Sequence, residues 1–194
     1  VIRVLEEMHV PIYCIVGTSM GSIVGGLYAS GTSTDEIGQI AVRTDWDGLF
    51  SDRIPRRDVS YRDKSDWPNY ITSVTVDRKK IIDIPQGLIK GKRLDLMLRS
   101  LTLNAPKSFD DFPIPFRAIA CDIETGKPVV LSKGDLARSL RASMAIPGAF
   151  APVEIDGKLL VDGGVANNMA VDVAMAMGAD VVIAVNIGTP LSTR

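Results

Sequence analysis

The apolar run Ile12–Val16 stops at a glycine, presents one serine and stops again at a second glycine, giving Gly17-Thr18-Ser19-Met20-Gly21. The stretch after it, Ile23-Val24-Gly25-Gly26-Leu27-Tyr28-Ala29, reads as a small-residue helix. G-x-S-x-G between a strand and a helix is the setting of a nucleophile elbow. Such a turn strains the backbone of its serine, so Gly17 and Gly21, two residues before and two after, are expected to be nearly free of side chain for steric reasons. The Ser19 oxygen then stands at a helix N-terminus. There the partial positive charge and the free N–H groups, that of Met20 included, favour a developing oxyanion. A glycine-punctuated turn without chemistry is the plain alternative.

With 194 residues, the chain suits one α/β domain, residues 1–194, with a sizeable core. A formal net charge of −1 gives no global pull towards nucleic acid. No apolar run approaches the ~20 residues of a membrane span, and no secretory signal pattern is present. Val1–Met8 reads as the middle of an amphipathic helix, so further sequence is expected upstream. Cys14 and Cys121 sit in apolar runs and read as buried thiols. They provide neither a disulfide framework nor metal-ligand spacing, and they leave the compartment open.

Elements follow in alternation. Ile12–Val16 reads as a central parallel strand buried on both faces. Thr32-Ser33-Thr34-Asp35-Glu36 starts a capped helix that runs to about Arg43, and Asp45–Phe50 reads as a short helix carrying two aromatics. Residues 51–69 mix basic and acidic side chains with prolines and read as an irregular solvated excursion. Residues 71–84 suggest a β-hairpin tipped by Asp77-Arg78-Lys79. Gly91–Leu101 is helical in period, and Phe116–Cys121 reads as a core strand. Pro128–Leu131 reads as a short strand and Asp135–Ser143 as a helix. Val153–Ile155 and Lys158–Val161 form a hairpin around Asp156-Gly157. Ala170–Met177 is a helix closed at Gly178, and Asp180–Asn186 reads as the last core strand. Strands alternating with helices predict an α/β fold whose sheet is largely parallel and covered on both faces.

A serine hydroxyl needs a proton acceptor within hydrogen-bond reach. The single histidine, His9, precedes Ser19 at the wrong end of the strand and reads as a helix-end residue. A carboxylate is therefore the expected acceptor. Asp156 is explained by its hairpin turn. Asp122 ends a core strand and is the second candidate. Asp162 is the first choice, because Gly163-Gly164 behind it has no hairpin to close and implies a close backbone approach. A purely structural turn is the competing reading of Asp162. An aspartate in water, with a pKa near ~3.9, is a poor base for an alcohol, so the chemistry asks for a buried one.

Gly17-Thr18-Ser19-Met20-Gly21-Ser22 and Asp162-Gly163-Gly164 together resemble the patatin-like phospholipase family, in its bacterial form. Ala142–Phe150 resembles the family's segment before D-G-G, and Cys121–Gly126 its A-T-D-x-x-T-G strand end. Asn167-Asn168 matches the asparagine that follows D-G-G. The resemblance spans nearly the whole chain. It implies a three-layer α/β/α sandwich and a Ser–Asp dyad, Ser19 as nucleophile and Asp162 as base, that hydrolyses lipid esters without metal or cofactor. It also implies a glycine-rich oxyanion loop, which residues 1–194 do not contain and which is expected upstream of Val1.

The favoured substrates are phospholipids or lysophospholipids. A thioester or neutral-lipid hydrolase on the same dyad is an alternative. So is a binding module that holds phosphate at the Gly17–Gly21 turn, although no P-loop or G-x-G-x-x-G spacing is present. A catalytically dead membrane-binding scaffold is a further one. The basic clusters Arg78-Lys79-Lys80 and Lys90, Lys92, Arg93 are either solvated surface or contacts to anionic headgroups at a peripheral membrane. A homo-oligomer is left open.

Overall fold

The computed structural model describes residues 1–50 and 89–187. The charged excursion, the hairpin expected over 71–84 and the cluster Arg78-Lys79-Lys80 lie outside them. Helices α1 (Ile2–Glu7), α2 (Met20–Ala29), α3 (Thr34–Arg43), α4 (Trp46–Leu49), α5 (Lys92–Leu101), α6 (Leu136–Ser143) and α7 (Val171–Ala176) accompany strands β1 (Ile15–Thr18), β2 (Phe116–Asp122), β3 (Pro128–Leu131), β4 (Val153–Ile155) and β5 (Lys158–Asp162). The chain is α/β, as its sequence pattern predicts.

Local chemistry accounts for several boundaries. Ser33 caps α3 by accepting from the Glu36 N–H while the Glu36 carboxylate accepts from the Ser33 N–H, a reciprocal capping box. The Ser33 N–H, and after it the Ser33 hydroxyl that donates to the same oxygen, hold the Glu36 carboxyl below its ordinary range. Asp45 and Asp135 cap α4 and α6 more simply, their carboxylates accepting from the Gly48 and Arg138 N–H groups. Asp156 and Gly157 both take positive φ, as a two-residue hairpin turn between β4 and β5 requires.

The sheet differs from the expected parallel one. β1 pairs parallel with β2, whereas β2–β3, β2–β5 and β4–β5 are all antiparallel. The cause is local: both short turns, 123–127 and 156–157, reverse the chain at once, and parallel pairing needs a crossover of a dozen or more residues. Asp180–Asn186, expected as the last core strand, forms no strand, and Val181, Ile183 and Val185 are exposed. An apolar run becomes a strand only where a neighbour supplies its hydrogen bonds. β1 is likewise less buried than a central strand, with Gly17 its one buried residue.

The core lies on one face of β2. Phe116, Ala118 and Ala120 pack there against Ile23 and Leu27 of α2, Leu94 and Leu98 of α5, and Leu136 and Leu140 of α6. Ile119 and Cys121 alternate to the other face and are also buried. The small residues of α2 let it lie close to the sheet. A Cβ on Gly25 would meet Ile15, and one on Gly26 would meet Leu140 and Phe116. Among the described residues no helix is long and apolar enough to cross a membrane.

Candidate active site

The site is assembled by sheet topology. β3 pairs with Ala118–Cys121 along one edge of β2, so β1 and β5 must share the other edge. On it β1 runs up to the pair Thr18↔Ile119, and β5 runs down to the pair Ala120↔Asp162. The two strands therefore end head to head on adjacent rungs of β2, and the residues at their tips meet although 143 positions separate them.

Ser19 occupies the tip of β1 with φ 54° and ψ −126°, outside the helical and extended regions. For a non-glycine residue this conformation costs of order 1–3 kcal/mol and is held only by its surroundings. A Cβ on Gly17 would collide with the Gly21 carbonyl and the Ser22 Cα, the latter at 2.6 Å. Glycine is obligatory there. The expectation for Gly21 is not met, since a Cβ there would find nothing within 4 Å. A single close contact exists between the turn and the first turn of α2, and it is relieved at Gly17 alone. α2 starts at Met20, so the N–H groups of Met20 and Gly21 have no carbonyl one turn back to bond. The Ser22 hydroxyl donates to the Ser19 carbonyl at 2.7 Å and secures the turn from behind.

Asp162 ends β5 and is buried, 6% exposed. Its Oδ2 accepts from the Ser19 hydroxyl at 2.6 Å, and its Oδ1 accepts from the Gly164 N–H at 2.7 Å. One oxygen is thus pinned by the turn behind it and the other faces the serine. Gly163 opens a 3₁₀ turn against β2, where a Cβ would overlap the Ile119 carbonyl. The loop beyond is tied back to β1, with the Thr18 hydroxyl donating to the Asn167 carbonyl at 3.2 Å. The Asn167 side chain accepts from the Ala170 N–H and donates to Asp172.

The other candidates fall elsewhere. Asp122 is buried but accepts from the Glu124 N–H at 3.0 Å within its own turn. That bond above all, with help from Thr125 and Lys158, holds its carboxyl below the ordinary range against the opposing effect of burial. His9 is exposed just beyond α1, in a left-handed conformation. Cys14 and Cys121 are free thiols, both pushed up chiefly by desolvation; only Cys121 is buried as expected, and Cys14, just ahead of β1, is half-buried. Lys90 and Lys92 line a cavity of ≈ 470 Å³ together with Arg138, Arg141 and Glu154, and neither Ser19 nor Asp162 is part of its wall. Among the described residues no group of three His, Cys, Asp or Glu side chains is placed to hold a metal ion.

Sequence reasoning passed over two groups at the site. The Ser143 hydroxyl, at the end of α6, accepts from the Ser19 N–H at 2.9 Å and donates to the Ile119 carbonyl at 2.6 Å. The Ala145 carbonyl accepts from the Asp162 N–H at 2.9 Å. Their only sequence signal was membership of the block Ala142–Phe150.

A serine and a carboxylate are thus bonded at the meeting point of two strand tips, with Gly17 before one and Gly163-Gly164 after the other. Residues 1–175 match the family model for patatin-like phospholipase. The chain belongs to the patatin-like phospholipase family. An uncharacterized NTE family protein of Mycobacterium bovis is 31% identical over 96% of this chain and 44% of its own length. Human patatin-like phospholipase domain-containing protein 6 is 31% identical over 100% of this chain and 13% of its own. Rat patatin-like phospholipase domain-containing protein 7 is 30% identical over 97% and 12%. The chain thus spans less than half the length of these relatives.

Proposed function

We propose that this patatin-like chain is a serine acyl-ester hydrolase of phospholipids or lysophospholipids that works through Ser19 and Asp162. The observation that carries the reading is the 2.6 Å bond from the Ser19 hydroxyl to the buried Asp162 carboxylate. A hydroxyl donor that close to a carboxylate is in place for proton transfer as the oxygen attacks.

In the proposed sequence Ser19 Oγ attacks the acyl carbonyl carbon and its proton passes to Asp162 Oδ2. The tetrahedral oxyanion sits against the N-terminus of α2, within reach of the Met20 N–H. Collapse expels the glycerol-side alcohol, which takes the proton from Asp162, and leaves an acyl ester on Ser19. Water then attacks that ester with Asp162 again as base, the bond from Ser19 Oγ to the acyl carbon breaks, Ser19 Oγ takes the proton back from Asp162, and the free fatty acid leaves. The family's three-layer sandwich is part of the same reading. Its support is the cluster of α2, α5 and α6 on one face of β2 and the burial of Ile119, Cys121 and Ala174 outside that cluster.

A lipid surface suits the surroundings of the dyad. Ile146, Val165 and Met169, close in sequence to Ser143 and to Asp162, are all exposed apolar side chains. Ser19→Ala tests the reading. Hydrolysis of a short-chain ester and labelling by a fluorophosphonate probe are both expected to disappear at an unchanged melting temperature. Undiminished hydrolysis by a folded Ser19→Ala protein would overturn it.

A further inference from the structure

We infer that Ser143 is a positioning residue for Ser19: its hydroxyl holds the elbow N–H and thereby sets the nucleophile against its base. The inference rests on the hydrolase reading above. Serines and threonines at the ends of helices ordinarily bond back to a carbonyl of their own last turn. Among the described residues Ser30 donates to Leu27, Ser100 to Met97 and Thr102 to Leu98 in this way. Ser143 alone among these helix-end hydroxyls leaves its helix. It donates to Ile119 on β2 and accepts from Ser19, 124 residues away.

Ile119 is the fixed point of the arrangement. It is the rung at which β1 ends and, one residue before the rung of Asp162, the backbone on which Gly163 rests. The Ser143 hydroxyl takes its direction from the Ile119 carbonyl, so its lone pair is aimed at the Ser19 N–H. Two residues on, the Ala145 carbonyl holds the Asp162 N–H. One three-residue segment therefore fastens the backbones of both partners. Ser143 is fully buried at 0% exposure, so water cannot stand in for its hydroxyl without repacking. Without it the Ser19 N–H loses its partner and the positive φ is held only by packing and by the bonds at the Ser19 carbonyl and hydroxyl, and a shift of about 1 Å at a reacting atom can cost about 10²-fold in rate.

The test compares Ser143→Ala and Ser143→Cys with the wild-type chain. All are assayed at a temperature where circular dichroism shows each to be folded. Readouts are kcat and KM on a short-chain ester, the rate of fluorophosphonate labelling, and amide hydrogen exchange at Ser19. Cysteine is close to serine in size but a weak donor and acceptor, so it separates hydrogen bonding from volume. The expected order of kcat and labelling rate is Ser above Cys above Ala. The alanine variant should fall about 10- to 10²-fold with KM within twofold, and exchange at Ser19 should quicken. Wild-type kcat and labelling in Ser143→Ala, or equal rates for Ser143→Cys and wild type, would overturn the inference. If Ser143→Ala does not fold, Ser143→Cys decides by the same measures. Failure of the hydrolase reading shows differently, as activity that survives Ser19→Ala. The exchange rate at Ser19 then judges Ser143 alone, and unchanged protection in Ser143→Ala refutes its role.

Discussion

Asp122 and Asp162 are two buried carboxylates at the ends of neighbouring strands, two rungs apart in the same antiparallel ladder. Each is bound by the N–H two residues on, Glu124 for one and Gly164 for the other. Direction separates them. β2 runs past the end of β1 and delivers Asp122 into its own hairpin turn, where further turn groups surround the carboxylate. β5 runs the opposite way and stops facing β1, so the second oxygen of Asp162 meets Ser19. The residues behind the two carboxylates differ as well. Gly163 lets the chain rest on the Ile119 carbonyl, whereas Ile123-Glu124-Thr125-Gly126 forms an ordinary turn that closes with Gly126 at φ 67°. A strand-end carboxylate thus meets a serine hydroxyl or caps its own turn according to which strand tip it faces, and the same side chain serves both.

Asparagine substitutions break the comparison directly. Asp162→Asn keeps the shape but removes the proton acceptor, and its hydrolytic rate is expected to fall by at least ~10²-fold. If the rate holds while Asp122→Asn abolishes activity, the roles are reversed. Gly163→Ala comes next, because its methyl would displace β5 from Ile119 and move the Asp162 carboxylate. A loss of about 10²-fold is expected on misplacement alone, together with a lower melting temperature. Wild-type activity in Gly163→Ala would show that the close approach is dispensable.

The smallest effect belongs to Asp122→Asn, expected to stay within a few-fold of wild-type activity. Its signature is in stability against pH. The folded Asp122 carboxyl lies below its ordinary value, so its contribution is present above the unfolded pKa of ~3.9 and is lost as pH falls through the folded value. The gap in melting temperature between wild type and Asp122→Asn should be open near neutrality and close on acidification. A gap that is constant from neutral pH to pH 3 would remove the charge from the explanation.

The legible parts of this molecule are those written in local chemistry. Thr32–Glu36 announced a capped helix start, Asp156-Gly157 a hairpin, and Gly17 a turn too tight for a side chain. Asp162 was legible through the two glycines behind it, which had no hairpin to close. The parts that could not be read depend on partners far away. Ser143 looks like any serine at a helix end until the fold brings Ile119 and Ser19 to it. Gly21 looked as necessary as Gly17, and only the direction of the missing Cβ tells them apart. Val181–Val185 has the composition of a core strand but no neighbour to pair with among the described residues.

The head-to-head ending of β1 and β5 also sets a timetable. Ser19 leaves the ribosome 143 residues before Asp162, which at about 5–20 residues per second is an interval of roughly 7–30 s. Throughout that interval the nascent chain carries a serine with no carboxylate to take its proton. Under the proposed reaction a truncated or stalled product ending before residue 162 is inert towards lipid. That reaction can begin only when the second tip has been made and has found the first.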